Sequence, residues 1–203
     1  MLSIYNLKPK FQQILKPVLS FLYKSGVTAN QITIASIVLS AAIGVCFWFA
    51  DRDKILFLSL PFGLLIRMAL NALDGMMAKS YNQSTKRGEL LNEVGDVVSD
   101  LFIFFPLLKH ETTHLFVVVV FLCLSVVNEF CGVMGKVING TRRYDGPMGK
   151  SDRAFVVAFY GILSFLGVDM GNAFLPCILI VIGLLVLSTI VRIKRTLWEN
   201  DEG

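Results

Sequence analysis

The stretch "RMALNALDGMMAKSYNQSTKRGELLNEVGDVVSD", residues 67–100, sets acids, amides and bases at regular intervals among Leu, Val and Met. Residues three or four apart share a helix face, so Arg67, Asn71, Asp74 and Ala78 line one side of one helix. Asn92, Asp96 and Asp100 do the same on the next. The short polar segment "KSYNQSTKR" joins the two helices, which makes them antiparallel neighbours whose polar faces meet near one membrane surface. Gly75 has no side chain and leaves room for a ligand beside the backbone. Taken singly, each polar residue has a plainer reading as a helix cap, a solvated group or a tie between spans. Two faces bearing oxygen ligands at helical spacing, with a glycine beside one of them, point instead to a hard cation such as Mg²⁺ and an anionic phosphate ligand.

The surrounding sequence belongs in lipid. Of 203 residues 55% are hydrophobic and 16 are Phe, and the mean hydropathy is +0.66; a soluble domain has roughly 45–50% apolar residues. Windows near 30–50, 55–79, 89–108, 113–138, 153–168 and 171–192 approach the length that crosses a hydrocarbon core of roughly 30 Å, the fifth being short. The expectation is an all-α membrane bundle of about six transmembrane helices, as one domain over 27–203, preceded by an interfacial segment over 1–26. In that segment Lys8, Lys10, Lys16 and Lys24 are scattered among Phe, Ile and Leu, which fits an amphipathic surface helix and not a cleavable signal. Pro9 and Pro17 predict one or two short helices.

Basic residues predict orientation. With the N-terminus cytoplasmic, 15 Lys and Arg fall on the cytoplasmic side and three, Arg52, Lys54 and Lys109, on the other, while Arg67 lies within a span. That asymmetry puts both termini in the cytoplasm. The net charge of +4 follows from this topology and from anionic membrane lipids; no nucleic-acid-binding motif is present. Cys46, Cys123, Cys131 and Cys177 lie in apolar spans without metal-binding spacing and read as packing residues. Ser36, Ser40 and Gly44 form a small-residue stripe suited to close helix contact.

Asn71, Asp74-Gly75, Ala78-Lys79, Gly88, Asn92 and Asp96 together resemble the motif of the CDP-alcohol phosphatidyltransferases. That motif runs Asp, two residues, Asp-Gly, two residues, Ala-Arg, about eight residues, Gly, three residues, Asp, three residues, Asp. The spacing is kept across 26 residues without a gap, with Asn at the first and third aspartate positions and Lys79 for arginine. "VTANQIT" at 27–33 is similar to the family's Val-Thr-Pro-Asn, with Ala29 for proline. A six-span bundle with a cytoplasmic motif agrees with this family across nearly the whole chain.

The resemblance implies transfer of a substituted phosphoryl group from a CDP-linked donor, CDP-diacylglycerol or another CDP-alcohol, to an alcohol acceptor with release of CMP, in phospholipid synthesis. It further implies a homodimer in a bacterial inner membrane, with Mg²⁺ or Mn²⁺ as cofactor. By position, Asp74 is a metal ligand and Asp96 is the base that deprotonates the acceptor as well as a partial ligand. Asn71 and Asn92 are left to ligate through amide oxygens, and Gly75, Ala78, Lys79 and Gly88 fall to the nucleotide. Arg142, Arg143, Lys150 and Arg153, in the loop "NGTRRYDGPMGKSDR", suit phosphate of donor, acceptor or lipid head; the plainer reading is the positive-inside bias.

The substitutions change the electrostatics. Four motif aspartates bring about −4 against two Mg²⁺, whereas Asp74 and Asp96 bring about −2. Either one metal binds, or a second binds tightly only with the pyrophosphate donor, or Glu89, Glu93 or Glu129 supplies displaced charge. Glu129 is the most suggestive of these because it lies in an apolar span, and pairing with Arg67 is an equally simple reading of it. In a shifted register Asp96 and Asp100 become the terminal pair, but the unshifted one keeps the glycine framework and leaves Asp100 a supporting role. The competing class is a degenerate relative that binds nucleotide lipid or serves as a membrane partner. A small transporter is a third option.

Overall fold

The computed structural model describes the backbone of residues 8–198 and side chains from Phe11 onward. Residues 1–7 of the expected interfacial segment and the last five residues lie outside the described region. The chain is an all-α membrane protein. Its helices are α1 (Lys8–Lys24), α2 (Ala29–Trp48), α3 (Ser59–Ser80), α4 (Lys86–Phe104), the single turn α5 (Leu107–His110), α6 (Leu115–Asn139), α7 (Lys150–Phe165) and α8 (Gly171–Trp198), with 3-10 turns before α3 and α6. Four stretches are long and apolar enough to cross a membrane: Ala29–Trp48, Lys54–Ser80, Thr112–Asn139 and Gly171–Trp198. The other two expected spans are also helices. The motif acids make α4 too charged to pass as an apolar span, and α7, with 16 residues, is short.

The chain forms two compact halves, one ending at Ile103 and the other beginning at Phe104. In the first, α1 is one helix with Pro17 inside it, the first of the two outcomes, one helix or two, that its prolines left open. Pro17 is exposed, while Leu15 and Leu19 pack with Ala29, Ile32, Leu73 and Met77. The apolar face therefore holds the helix together past the one hydrogen bond a proline removes. Tyr23 stacks on Tyr81 with ring centroids 3.6 Å apart, tying α1 to the end of α3.

Helix α2 begins at a capping box. Thr28 Oγ1 accepts the Gln31 N–H, and Gln31 Oε1 accepts the Thr28 N–H at 2.9 Å, so two otherwise orphaned donors are satisfied. Ala29 carries an N–H that a proline would lack; it donates to Gln83 Oε1 at 2.8 Å. Ser36, Ser40 and Gly44 are all buried. A Cβ at Gly44 would collide with the Phe102 carbonyl, which is the close α2–α4 contact that the small-residue stripe predicts.

In the second half, α6 and α8 pair through polar ties. Asn128 Nδ2 donates to Thr189 Oγ1 at 3.1 Å, and Asn139 Nδ2 to the Thr196 carbonyl at 2.8 Å. Gly140, at φ +74°, ends α6 in the left-handed conformation, where glycine carries no Cβ penalty. Past α5, the Tyr160 hydroxyl donates to Glu111 Oε1 at 2.7 Å, and burial pushes the Glu111 carboxyl above its ordinary pKa, since loss of water penalises the charged form.

Candidate functional site

In the first half, the polar faces of α3 and α4 meet, with α2 supporting them. Asn71 and Asp74 stand one turn apart on α3. Thr33 and Ser36, one turn apart on α2, reach across to them. Thr33 Oγ1 lies 3.1 Å from Asp74 Oδ2 and also 3.1 Å from the Ala29 carbonyl, its one proton serving either acceptor. Ser36 Oγ donates to Asn71 Oδ1 at 2.7 Å, and Asn71 Nδ2 faces Asp96 Oδ1 at 3.5 Å. The junction runs from helix α2 through α3 to α4.

Arg67 lies below it. Its guanidinium pairs with Asp100 at 2.8 Å and donates to the Asp96 carbonyl at 3.3 Å. Arg67 is 2% exposed and Asp100 5%. Asp100 therefore neutralises a buried arginine, which is the supporting role expected of it.

The other motif positions divide by surroundings. Asp74 is buried at 6% exposure, while Asn92 and Asp96 are half-buried. Gly75 is exposed, and a Cβ there would meet nothing within 4 Å, so the backbone beside Asp74 is open on that side. Gly88 differs: a Cβ there would collide with Asn30 Oδ1 of α2. Its N–H donates to Thr85 Oγ1 at 3.0 Å, so this glycine lets the first turn of α4 approach α2. The Ala78 carbonyl accepts the Gln83 N–H at 3.0 Å and the Ser84 hydroxyl at 3.2 Å, and Lys79 is exposed.

The donor chemistry suits a hard divalent cation in part. Asp74 and Asp96 offer carboxylate oxygens of the kind Mg²⁺ and Mn²⁺ prefer. Asn71 does not present its oxygen beside them, since that oxygen takes the Ser36 hydroxyl and the nitrogen faces Asp96. Among the described residues no three His, Cys, Asp or Glu side chains gather as a metal-holding group.

The second half carries the basic loop. Glu129, 4% exposed, receives Arg142 at 2.6 Å and Arg153 at 2.8 Å, with Arg192 at 3.8 Å. Arg153 is 0% exposed. Arg143 is placed by a backbone bond to the Gly132 carbonyl at 3.0 Å, and its guanidinium donates to the Arg195 carbonyl at 3.4 Å. Lys150 is the first residue of α7. The Asp145 carbonyl accepts from Ser188 Oγ and Arg192 Nε at 3.2 Å, and its carboxylate pairs with Arg195.

Sequence reasoning missed Thr33 as the partner of Asp74, Ser36 as the partner of Asn71, and Arg192 as a third guanidinium near Glu129. Arg192 carried a weak signal, standing at the end of the apolar run of α8, where Lys194 and Arg195 make it read as part of a basic tail. Thr33 and Ser36 likewise carried only a weak one, as small polar residues in an apolar span.

The sequence profile of the CDP-alcohol phosphatidyltransferase family matches residues 26–192. Inner membrane protein YnbA of Escherichia coli strain K12 is 46% identical over 161 residues, covering 79% of this chain and 80% of that protein. An uncharacterised protein of Aquifex aeolicus strain VF5 is 30% identical over 109 residues, or 54% of this chain and 53% of that protein. Among solved structures, Mycobacterium tuberculosis phosphatidylinositol phosphate synthase PgsA1 with CDP-DAG bound superimposes with a TM-score of 0.75, at 20% identity, over 91% of this chain and 94% of that one. The same protein in complex with manganese and citrate gives 0.73, at 21% identity, over 90% and 88%. At that identity the likeness is one of fold.

Proposed function

Because this chain belongs to the CDP-alcohol phosphatidyltransferase family, we propose that it moves a phosphatidyl group from a CDP-linked donor, CDP-diacylglycerol, to an alcohol and releases CMP. The observation that carries this reading is the junction at which Asn71 of α3 meets Asp96 of α4 beside Asp74 and the open backbone of Gly75. Asp74 and Asp96 are the residues to hold a divalent cation, Mg²⁺ or Mn²⁺, and Asn92 lies one turn before Asp96. A cation there offsets the negative charge of the donor pyrophosphate.

The protein residues do the rest. Gly75, Ala78, Lys79 and Gly88 form the nucleotide side of the motif, with Gly75 the point of closest backbone approach. Asp96 takes the proton of the acceptor hydroxyl as its oxygen bonds to the lipid-bearing phosphorus. The bond from that phosphorus to the bridging oxygen breaks, and the bridging oxygen leaves on CMP. Arg142, Arg143 and Lys150 serve phosphate on donor, acceptor or lipid head, whereas Arg153, fully buried against Glu129, holds the loop in place. The protein works as a homodimer in a bacterial inner membrane, with α1 lying at its surface.

Purified protein incubated with CDP-diacylglycerol, Mg²⁺ or Mn²⁺ and a panel of alcohols is expected to release CMP with at least one of them. No release with any would favour a member that binds nucleotide lipid without turning it over, a reading that the two amide substitutions also suit. Orientation is tested separately. The excess of 15 basic residues over three favours cytoplasmic termini, so a reporter fused after Gly203 is expected to behave as cytoplasmic. A periplasmic signal would put the motif on the wrong side for a CDP-linked donor.

A further inference from the structure

We infer that Asn71 is a positioning strut for Asp96 and not a metal ligand, so that the motif of this chain takes one divalent cation where four aspartates would take two. The inference rests on the function proposed above. Its basis is the direction of one amide. A carboxylate without its proton only accepts hydrogen bonds, so the group of Asn71 that faces Asp96 Oδ1 at 3.5 Å is its nitrogen. The reverse orientation would set two acceptor oxygens against each other and could be held only by a cation lying between Asn71 and Asp96. Ser36 completes the arrangement because a hydroxyl both donates and accepts; with the nitrogen turned to Asp96, it gives its proton to Asn71 Oδ1 at 2.7 Å.

The three side chains come from three helices, so the Asp96 carboxylate is met by an amide that Ser36 in turn fixes. The Arg67 guanidinium bonds the Asp96 carbonyl below, and the Asn71 amide approaches its carboxylate above. An aspartate at position 71 would bring a second negative charge toward Asp96 and would need a cation to hold the two together. Asn71 removes both the repulsion and the need.

Cation binding is counted by titrating purified protein with Mn²⁺ and reading free Mn²⁺ by electron paramagnetic resonance, with and without a non-reacting CDP-diacylglycerol analogue. Wild type is expected to reach one Mn²⁺ per chain in at least one of the two states and two in neither. Asn71→Asp combined with Asn92→Asp is expected to reach two. A count of two for wild type, of none in both states, or of one for a folded double variant overturns the inference. If the double variant does not fold, Ser36→Ala decides alongside the wild-type count. It frees Asn71 from α2 and is expected to keep one Mn²⁺ and the donor KM while kcat falls roughly tenfold, as for a lost positioning hydrogen bond. An unchanged kcat, or a fall matched by weaker donor binding, also overturns it. A chain that releases CMP with two Mn²⁺ bound keeps the function and refutes the strut. One that binds a single Mn²⁺ and releases no CMP with any alcohol does the reverse.

Discussion

Asp96→Asn is expected to lower CMP release by roughly 10²–10⁴-fold, the loss typical of removing a general base, and to weaken metal-dependent donor binding by much less. The variant keeps nearly the same volume. Its amide oxygen can still accept from Asn71 Nδ2, which faces Asp96 Oδ1 in the wild type, and the Arg67 bond goes to the main chain of residue 96 and survives any side-chain change. What disappears is basicity. Asp74→Asn makes the contrast, because Asp74 is the carboxylate that α2 buttresses through Thr33; there the expected loss is in metal-dependent donor binding. Single-turnover measurements of CMP formation beside equilibrium binding of a non-reacting CDP-lipid analogue separate the two. If Asp96→Asn turns over as fast as wild type, Asp96 is not the base.

Glu129→Gln is expected to destabilise the second half of the chain by about 3–5 kcal/mol, the cost of breaking a buried ion pair from one side. One carboxylate faces Arg142, Arg153 and Arg192, and Arg153 is fully buried. The glutamine keeps the shape and an accepting oxygen but leaves like charges near one another in an apolar setting, where desolvation makes each more costly. Thermal unfolding in detergent, followed by near-ultraviolet circular dichroism, should show a large drop in midpoint. Glu129→Gln paired with Arg153→Met should recover part of it by removing the most deeply buried of the three guanidiniums. A single variant as stable as wild type would mean that the arginines are held elsewhere.

The helical architecture was legible because lipid imposes a simple rule: about 20 apolar residues cross the membrane, and polar punctuation marks the ends. The expected window at 30–50 corresponds to Ala29–Trp48, and that at 55–79 to Lys54–Ser80. The motif was legible because helical spacing places Asn71 with Asp74, and Asn92 with Asp96, whatever lies around them. Partnership was less legible. Glu129 had a plausible mate in Arg67 on grounds of charge alone, yet Arg67 pairs with Asp100, one turn beyond Asp96 on the neighbouring helix. Pairing across helices depends on rotation about each axis, which spacing along a chain does not specify. The direction of the Asn71 amide was invisible for a similar reason, since it is decided by Asp96 on the neighbouring helix, with Ser36 on a third adapting to it. Pro17 left one helix or two open because propensity acts locally, whereas Leu15 and Leu19 secure α1 as one helix through packing with α2 and α3.

The bond between Gln83 and the first N–H of α2 gives the linker between the motif's halves the character of a ratchet tooth. Gln83 is fastened at both ends: its own N–H goes to the Ala78 carbonyl and its side chain to Ala29. Two residues on, Thr85 starts the next helix by accepting from Gly88 and Glu89. No slack remains in which to absorb a change of length. One residue inserted or deleted between Gln83 and Gly88 must turn α4 by about 100° about its axis, sweeping Asp96 away from Asn71 and Asp100 away from Arg67 together. The number of residues in that linker is thus as much a part of the reactive machinery as the acids on either side, and evolution can change the letters there far more freely than the count.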